Sequence, residues 1–204
     1  MILDKNAQFR LEYSQEAKHR VIIALNWDPR DDNVSLGERL QAKRGENIST
    51  YDLDLACVVF NENKEPIDGV SGRDSESVDN SGCIYHSGDD MDGIGDDDDE
   101  FISIEFRDIP DEIFHIVFVV EIQSAHNFDD VPFPFVRVAD PFANKEQINI
   151  PLQGPEAMGK NAFVFARLYR HHDTWMVHYI GEYLNGDEVE DWVEKLQSYV
   201  YPAS

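Results

Sequence analysis

From His86 to Phe101 the chain reads His-Ser-Gly-Asp-Asp-Met-Asp-Gly-Ile-Gly-Asp-Asp-Asp-Asp-Glu-Phe, a run of carboxylates broken by glycines and bounded by apolar segments. Carboxylates this close repel by roughly 1 kcal/mol per pair even in water. A hard divalent cation removes the repulsion. Ca²⁺ takes six to eight oxygen ligands at about 2.3–2.6 Å, from clustered Asp and Glu and from backbone carbonyls, which glycine can turn inward. The 86–100 segment is therefore a candidate acidic calcium loop. Asp28 closes one apolar segment and Asp52 and Asp54 open another. The loops of a β-sandwich converge at such strand ends, so these three are candidates to complete the coordination.

Other readings of the same residues are weaker. An EF-hand would put Gly93 at the sixth loop position, but its first position would be Gly88 and its twelfth Asp99, and the flanks read as strands rather than helices. A purely solvated acidic run has no need of Gly88, Gly93 and Gly95 inside it. A carboxylate pair for glycoside hydrolysis needs one member in an apolar cleft, which crowded Asp residues do not suggest. His171-His172-Asp173 falls between two strand patterns and reads as a hairpin turn rather than a transition-metal site. Cys83 follows Ser81-Gly82 and has no base nearby in sequence, so it reads as part of a turn rather than a nucleophile.

The elements that must position these residues are short β-rich segments. Nine are predicted, at 20–26, 53–60, 83–86, 101–106, 115–123, 135–139, 147–152, 162–170 and 174–182. The fold class is mainly β, an antiparallel sandwich with a C-terminal α-helix, and one domain spans 1–204. In 101–106, Ile102, Ile104 and Phe106 share one face and Ser103 and Glu105 the other, which predicts a half-buried strand. The 115–123 segment is apolar on both faces and should be central. The 30–50 segment reads as an insertion loop and 61–80 as an exposed connection. Val189, Trp192, Val193, Leu196 and Val200 recur at helical spacing, predicting a closing helix over 187–200 with Asp187 as N-cap and Glu190 its box partner. Phe128, Phe135, Tyr169 and Trp175 read as core aromatics, whereas prolines on both sides of Phe133 predict that it is exposed.

The charge balance limits partners. Against 41 Asp and Glu stand 17 Lys and Arg, for a formal net charge of −24. That opposes nucleic acid and anionic membrane surfaces and favours cations. The first residues lack a basic-then-apolar leader and no stretch is long enough to span a membrane, so a cytoplasmic protein with reduced Cys57 and Cys83 is expected.

Nearly the whole chain resembles the tellurite-resistance TerD family. The family's motif Gly-Asp-Asn-x-Thr-Gly-x-Gly-x-Gly-Asp-Asp-Glu is matched without a gap by Gly88, Asp89, Gly93, Gly95, Asp98, Asp99 and Glu100, with Asp90 for Asn, Asp92 for Thr and Asp97 for the last Gly. Leu25-Asn26-Trp27-Asp28, Asp52-Leu53-Asp54, Ile109-Pro110 and the segment from Asn127 to Val138 follow in family order. So does Phe165-Ala166-Arg167-Leu168-Tyr169-Arg170 before Trp175, where Ala166 and Arg167 replace Gly and Glu. The resemblance implies a β-sandwich holding Ca²⁺ at two adjacent positions. Its implied ligands are Asp89, Asp90, Asp98, Asp99 and Glu100, with backbone oxygens near Gly93 and Gly95. It also implies a non-enzymatic role in tellurite resistance and chemical stress, with calcium-dependent docking to other stress-response proteins, including products of the same operon. The alternative is an enzyme or small-ligand receptor with a structural calcium, which an apolar pocket beside the acidic loop would favour.

Overall fold

The computed structural model describes residues 3–14, 17–29, 50–94, 98–143 and 145–201. The insertion predicted at 30–50 lies, apart from its last residue, outside the described residues, as does Gly95. Eleven strands are described: β1 (Gln8–Arg10), β2 (Arg20–Asn26), β3 (Leu53–Phe60), β4 (Pro66–Val70), β5 (Ile84–His86), β6 (Glu100–Glu105), β7 (His115–Ile122), β8 (Phe135–Asp140), β9 (Lys145–Pro151), β10 (Ala162–His171) and β11 (Thr174–Leu184). They form a six-stranded sheet ordered β1-β11-β10-β7-β3-β4 and a five-stranded sheet ordered β5-β6-β2-β8-β9. All of the pairings are antiparallel.

Side-chain alternation builds the core between the sheets. Leu53, Leu55, Cys57 and Val59 of β3 and Ile116, Phe118 and Val120 of β7 face Val21, Ile23 and Leu25 of β2 and Ile102 and Ile104 of β6. Strand β7 is central, between β10 and β3, as its two apolar faces predict. Its second face, Val117 and Val119, packs with Val164, Leu196 and Val200 under helix α1 (Trp192–Ser198). Phe128 and Trp175 are core, Phe133 is 73% exposed, and Cys57 and Cys83 are both free and buried. Phe135 and Tyr169, expected in the core, are only half-buried.

Three expectations need correction. The closing helix is shorter than 187–200: its N-cap is Asp191, whose carboxylate accepts from the N–H groups of Val193 and Glu194, and Gly186–Glu188 forms a separate 3₁₀ turn. The 61–80 connection contains β4, an edge strand starting at Pro66, whose glycine and acidic residues mask its alternation. Finally, β6 is buried on both faces. Ser103 is 0% exposed, and Glu105 is 6% exposed because Lys18 (2.6 Å) and Arg20 both pair with it.

Candidate metal centre

The acidic loop connects two antiparallel strands, β5 and β6, so it is a strand-loop-strand element. Its base is tied by Ser87, whose N–H donates to Phe101 O and whose Oγ accepts from Phe101 N–H, both at 2.9 Å. Beyond it, Asp90 Oδ1 accepts from the N–H groups of Asp92 (3.0 Å) and Gly93 (2.8 Å), folding the loop back on itself. Gly93 has φ +66°, and a Cβ there would lie 2.5 Å from Trp27 Nε1. Only glycine fits against this buried indole. Trp27 is in turn fixed by its Nε1–H to Tyr51 O (3.0 Å) and by its backbone N–H to Asp99 Oδ2 (2.8 Å).

This scaffold brings Asp52 and Asp54, at the start of β3, up to Asp89 in the loop. One carboxylate oxygen from each lies within 4.8 Å of the others. Ligands on opposite sides of a Ca²⁺ ion are about 5 Å apart, twice the bond length, so the trio spans one ion. Asp52 Oδ1 is buried without a hydrogen-bond partner among the described residues. Burial, then Glu100, Asp52 and Asp89, push the Asp54 carboxyl up to about 7. Burial, then Asp89, Glu100 and Asp90, raise Asp52 as well. Carboxylates buried together in this way, with an unsatisfied oxygen, are suited to holding a cation. An all-carboxylate set selects a hard ion over zinc or copper.

The remaining predicted residues take different places. Asp99 is pushed up to about 6 by burial, against the Trp27 N–H, and then by Asp90, Asp98 and Asp28. Asp90 acts electrostatically on both Asp52 and Asp99, but among the described residues only Asp52, Asp54 and Asp89 bring three carboxylate oxygens within 4.8 Å of one another. Glu100 is wholly buried behind the trio: Oε2 accepts from Leu55 N–H (2.8 Å) and Oε1 from Asp90 N–H (3.1 Å). It thereby fixes the acidic loop to β3. His86 Nε2 lies 3.3 Å from Glu100 Oε2 without hydrogen-bond geometry. Asp98 is turned away, gripped by Arg137 through both oxygens (Nε to Oδ1 3.1 Å, Nη2 to Oδ2 2.7 Å). Gly93 shapes the turn, and Gly95 lies outside the described residues.

Sequence reasoning places His86 in the acidic loop without a role and misses Trp27 and Gly72 as parts of this site. A Cβ on Gly72 would lie 3.3 Å from Asp89 Cβ, so the loop after β4 walls the centre. Only the fold brings these three together. Beside the trio opens a cleft of about 790 Å³ between β3, β7, the 71–76 loop and α1. Its floor is Ala56, Val58, Val119 and Leu196, and Asp52, Asp54 and Asp89 form part of its wall.

Residues 1–195 match the family model described as the TerD domain. Tellurium resistance protein TerZ of Serratia marcescens is 30% identical over 189 residues, covering 93% of this chain and 93% of that protein. Stress response protein SCP2 of Bacillus subtilis (strain 168) is 25% identical over 197 residues, 95% of this chain and 97% of that protein. A crystal structure described as a homologue of telluride resistance protein (TerD) from Streptomyces coelicolor A3(2) superposes with a TM-score of 0.63 at 21% identity, over 83% of this chain and 92% of that one, which shows the shared fold.

Proposed function

The chain belongs to the TerD domain family, and from that premise we propose that it is a cytoplasmic calcium-binding module of tellurium resistance and chemical-stress response, acting by binding rather than by turnover. The observation that carries the reading is the Asp52, Asp54 and Asp89 trio, three carboxylates within 4.8 Å with a buried, unpartnered oxygen among them. Calcium there offsets the repulsion that raises Asp54 and Asp52. It locks the β5–β6 loop to the start of β3 through the connection Glu100 already makes. The second, adjacent ion that the family resemblance implies would draw on Asp28, Asp90 and Asp99. The ordered loop then presents a face for docking other stress-response proteins. Relatives named as resistance and stress-response proteins support the cellular role. Among the described residues no helix is long and apolar enough to cross a membrane.

A ligand that binds the N state alone stabilises it by RT ln(1 + [L]/Kd), about 2.7 kcal/mol at a hundredfold excess over Kd. Thermal melting of chelator-stripped protein should therefore rise with added Ca²⁺ and respond far less to Mg²⁺, whose shorter bonds of about 2.0–2.1 Å demand a tighter cage. An unchanged melting temperature at millimolar Ca²⁺ would refute the reading.

The 790 Å³ cleft beside the trio favours a second reading, in which calcium is structural and helps seat a small ligand. A ligand contacting the ion through an anionic group would lay its apolar part over Ala56, Val58 and Leu196. The discriminating variant is Val58→Glu, which spoils the cleft floor and leaves the carboxylates: partner capture persists on the first reading, and small-ligand binding is lost on the second.

A further inference from the structure

The outer faces of the two sheets differ. α1 packs on β3 and β7 of the six-stranded sheet, whereas no described helix lies over the five-stranded sheet, where a cleft of about 620 Å³ opens. Strand alternation and register build it. Tyr85 on β5 stands opposite Ser103 on β6, which stands opposite Ile22 on β2, so a hydroxyl lies on the floor beside an aromatic wall. Phe101 lies two residues along β6 on the same face, and Phe142, 49% exposed, forms the rim. The Arg20 guanidinium sits between the Tyr85 and Phe142 rings, 5.7 and 5.8 Å from their centroids.

Two polar groups here are unsatisfied. Ser103 is 0% exposed, and neither its Oγ nor Arg20 Nε finds a hydrogen-bond partner among the described residues. A buried N–H and a buried O–H left without acceptors are costly to the folded state. The charge is also uneven along the cleft. At one end Arg137 is neutralised by Asp98 and lies 3.6 Å from Glu146. At the other, Glu105 pairs with both Lys18 and Arg20, and Asp108 acts on Lys18 as well, so Arg20 keeps its Nε–H free while its Nη2 is engaged.

We propose that this cleft binds a small planar aromatic monoanion of the arene-carboxylate class. The carboxylate accepts from Arg20 Nε–H and Ser103 Oγ–H, and the ring packs against Tyr85, Phe101 and Phe142. Arg20 Nε–H is the one unpartnered cationic donor on this cleft among the described residues, which suits a monoanion over a phosphate dianion. Flat faces on several sides favour an aromatic ring over an aliphatic one. Asp52, Asp54 and Asp89 do not line the cleft, so the inference stands apart from the metal reading.

The test is an amide ¹H–¹⁵N correlation titration with 2-naphthoate in the presence of chelator, beside cyclohexanecarboxylate and inorganic phosphate. The expected result is saturable shifts centred on β2, β6 and the 140–143 segment, with the two comparison anions at least tenfold weaker. Ser103→Ala, which removes one charge-assisted hydrogen bond, and Phe142→Ala, which removes one packed ring, should each weaken binding about tenfold. Both are mild substitutions, one isosteric and one at a half-exposed rim, and retained spectral dispersion shows that the variants are folded. Absence of saturable shifts, equal binding of cyclohexanecarboxylate or phosphate, or unchanged affinity in both variants would overturn the proposal.

Discussion

Replacing Asp54 by Asn should stabilise the calcium-free protein and weaken its calcium binding at once. Burial, then Glu100, Asp52 and Asp89, push the half-buried Asp54 carboxyl from 3.8 up to about 7. At 1.36 kcal/mol per pK unit that displacement sets a ceiling of about 4 kcal/mol on the penalty for keeping Asp54 ionised. Solvent screening of a half-exposed group reduces it to about 1–2 kcal/mol. The sign follows from linkage. A carboxyl whose folded pKa is raised contributes stability that is fully present below its unfolded value near 3.8 and is lost as pH rises through about 7. Asn keeps the shape and cannot ionise, so the gap between variant and parent should be near zero at pH 4 and about 1–2 kcal/mol in favour of Asp54→Asn at pH 8. For a chain of this size that corresponds to about 2–8 °C in melting temperature. Urea denaturation in chelator at the two pH values measures it. With saturating Ca²⁺ at pH 8 the order should reverse, because only the parent retains the ligand. A gap independent of pH, or a less stable variant at pH 8 without calcium, would refute the reasoning.

Other expectations concern the same site. Calcium must displace a proton from Asp54, so its apparent affinity should fall by up to about tenfold per pH unit below 7, read by titration calorimetry in buffers of different ionisation enthalpy. Asp98 is held by Arg137, so Asp98→Asn should change calcium affinity by less than about threefold, whereas Asp89→Asn should weaken it more than about tenfold. Gly93→Ala forces a left-handed residue against Trp27 and should cost about 2–4 kcal/mol in urea denaturation, roughly 1–2 from the backbone and the rest from the clash.

Much of the architecture was legible because alternation is a local signal. The two-faced apolar pattern of 115–123 identifies the central strand β7, and the glycines and strand-like flanks of the acidic run identify a hairpin loop rather than an EF-hand. Edge elements were harder to read. β4 pairs on one side and tolerates Pro66, Asp68 and Gly69, which erase the period-two signal. Two aspartates, Asp187 and Asp191, precede the same helical pattern, and periodicity alone does not choose between them. Glu105 was misassigned to solvent because its burial depends on Lys18 and Arg20, 87 and 85 residues away.

The site was legible as composition and not as geometry. A row of like residues does not reveal which way each points. Asp98, Asp99 and Glu100 are consecutive, yet they meet Arg137, the Trp27 N–H and the Leu55 and Asp90 N–H groups respectively. The strand pleat sends neighbours to opposite sides, and partners distant in sequence decide which carboxylate is left to face a cation. Asp52, just before β3, and Asp54, on it, are two residues apart and share a side for the same reason.

The central claim is that Asp52, Asp54 and Asp89 hold calcium. Titration calorimetry of chelator-stripped parent and of Asp52→Asn/Asp54→Asn/Asp89→Asn with Ca²⁺ tests it most directly. Saturable binding is expected in the parent, with loss of at least one site in a variant that still shows the parent's β-sheet circular dichroism. Absence of saturable heat in the parent, or the same stoichiometry and affinity in the folded variant, would contradict it.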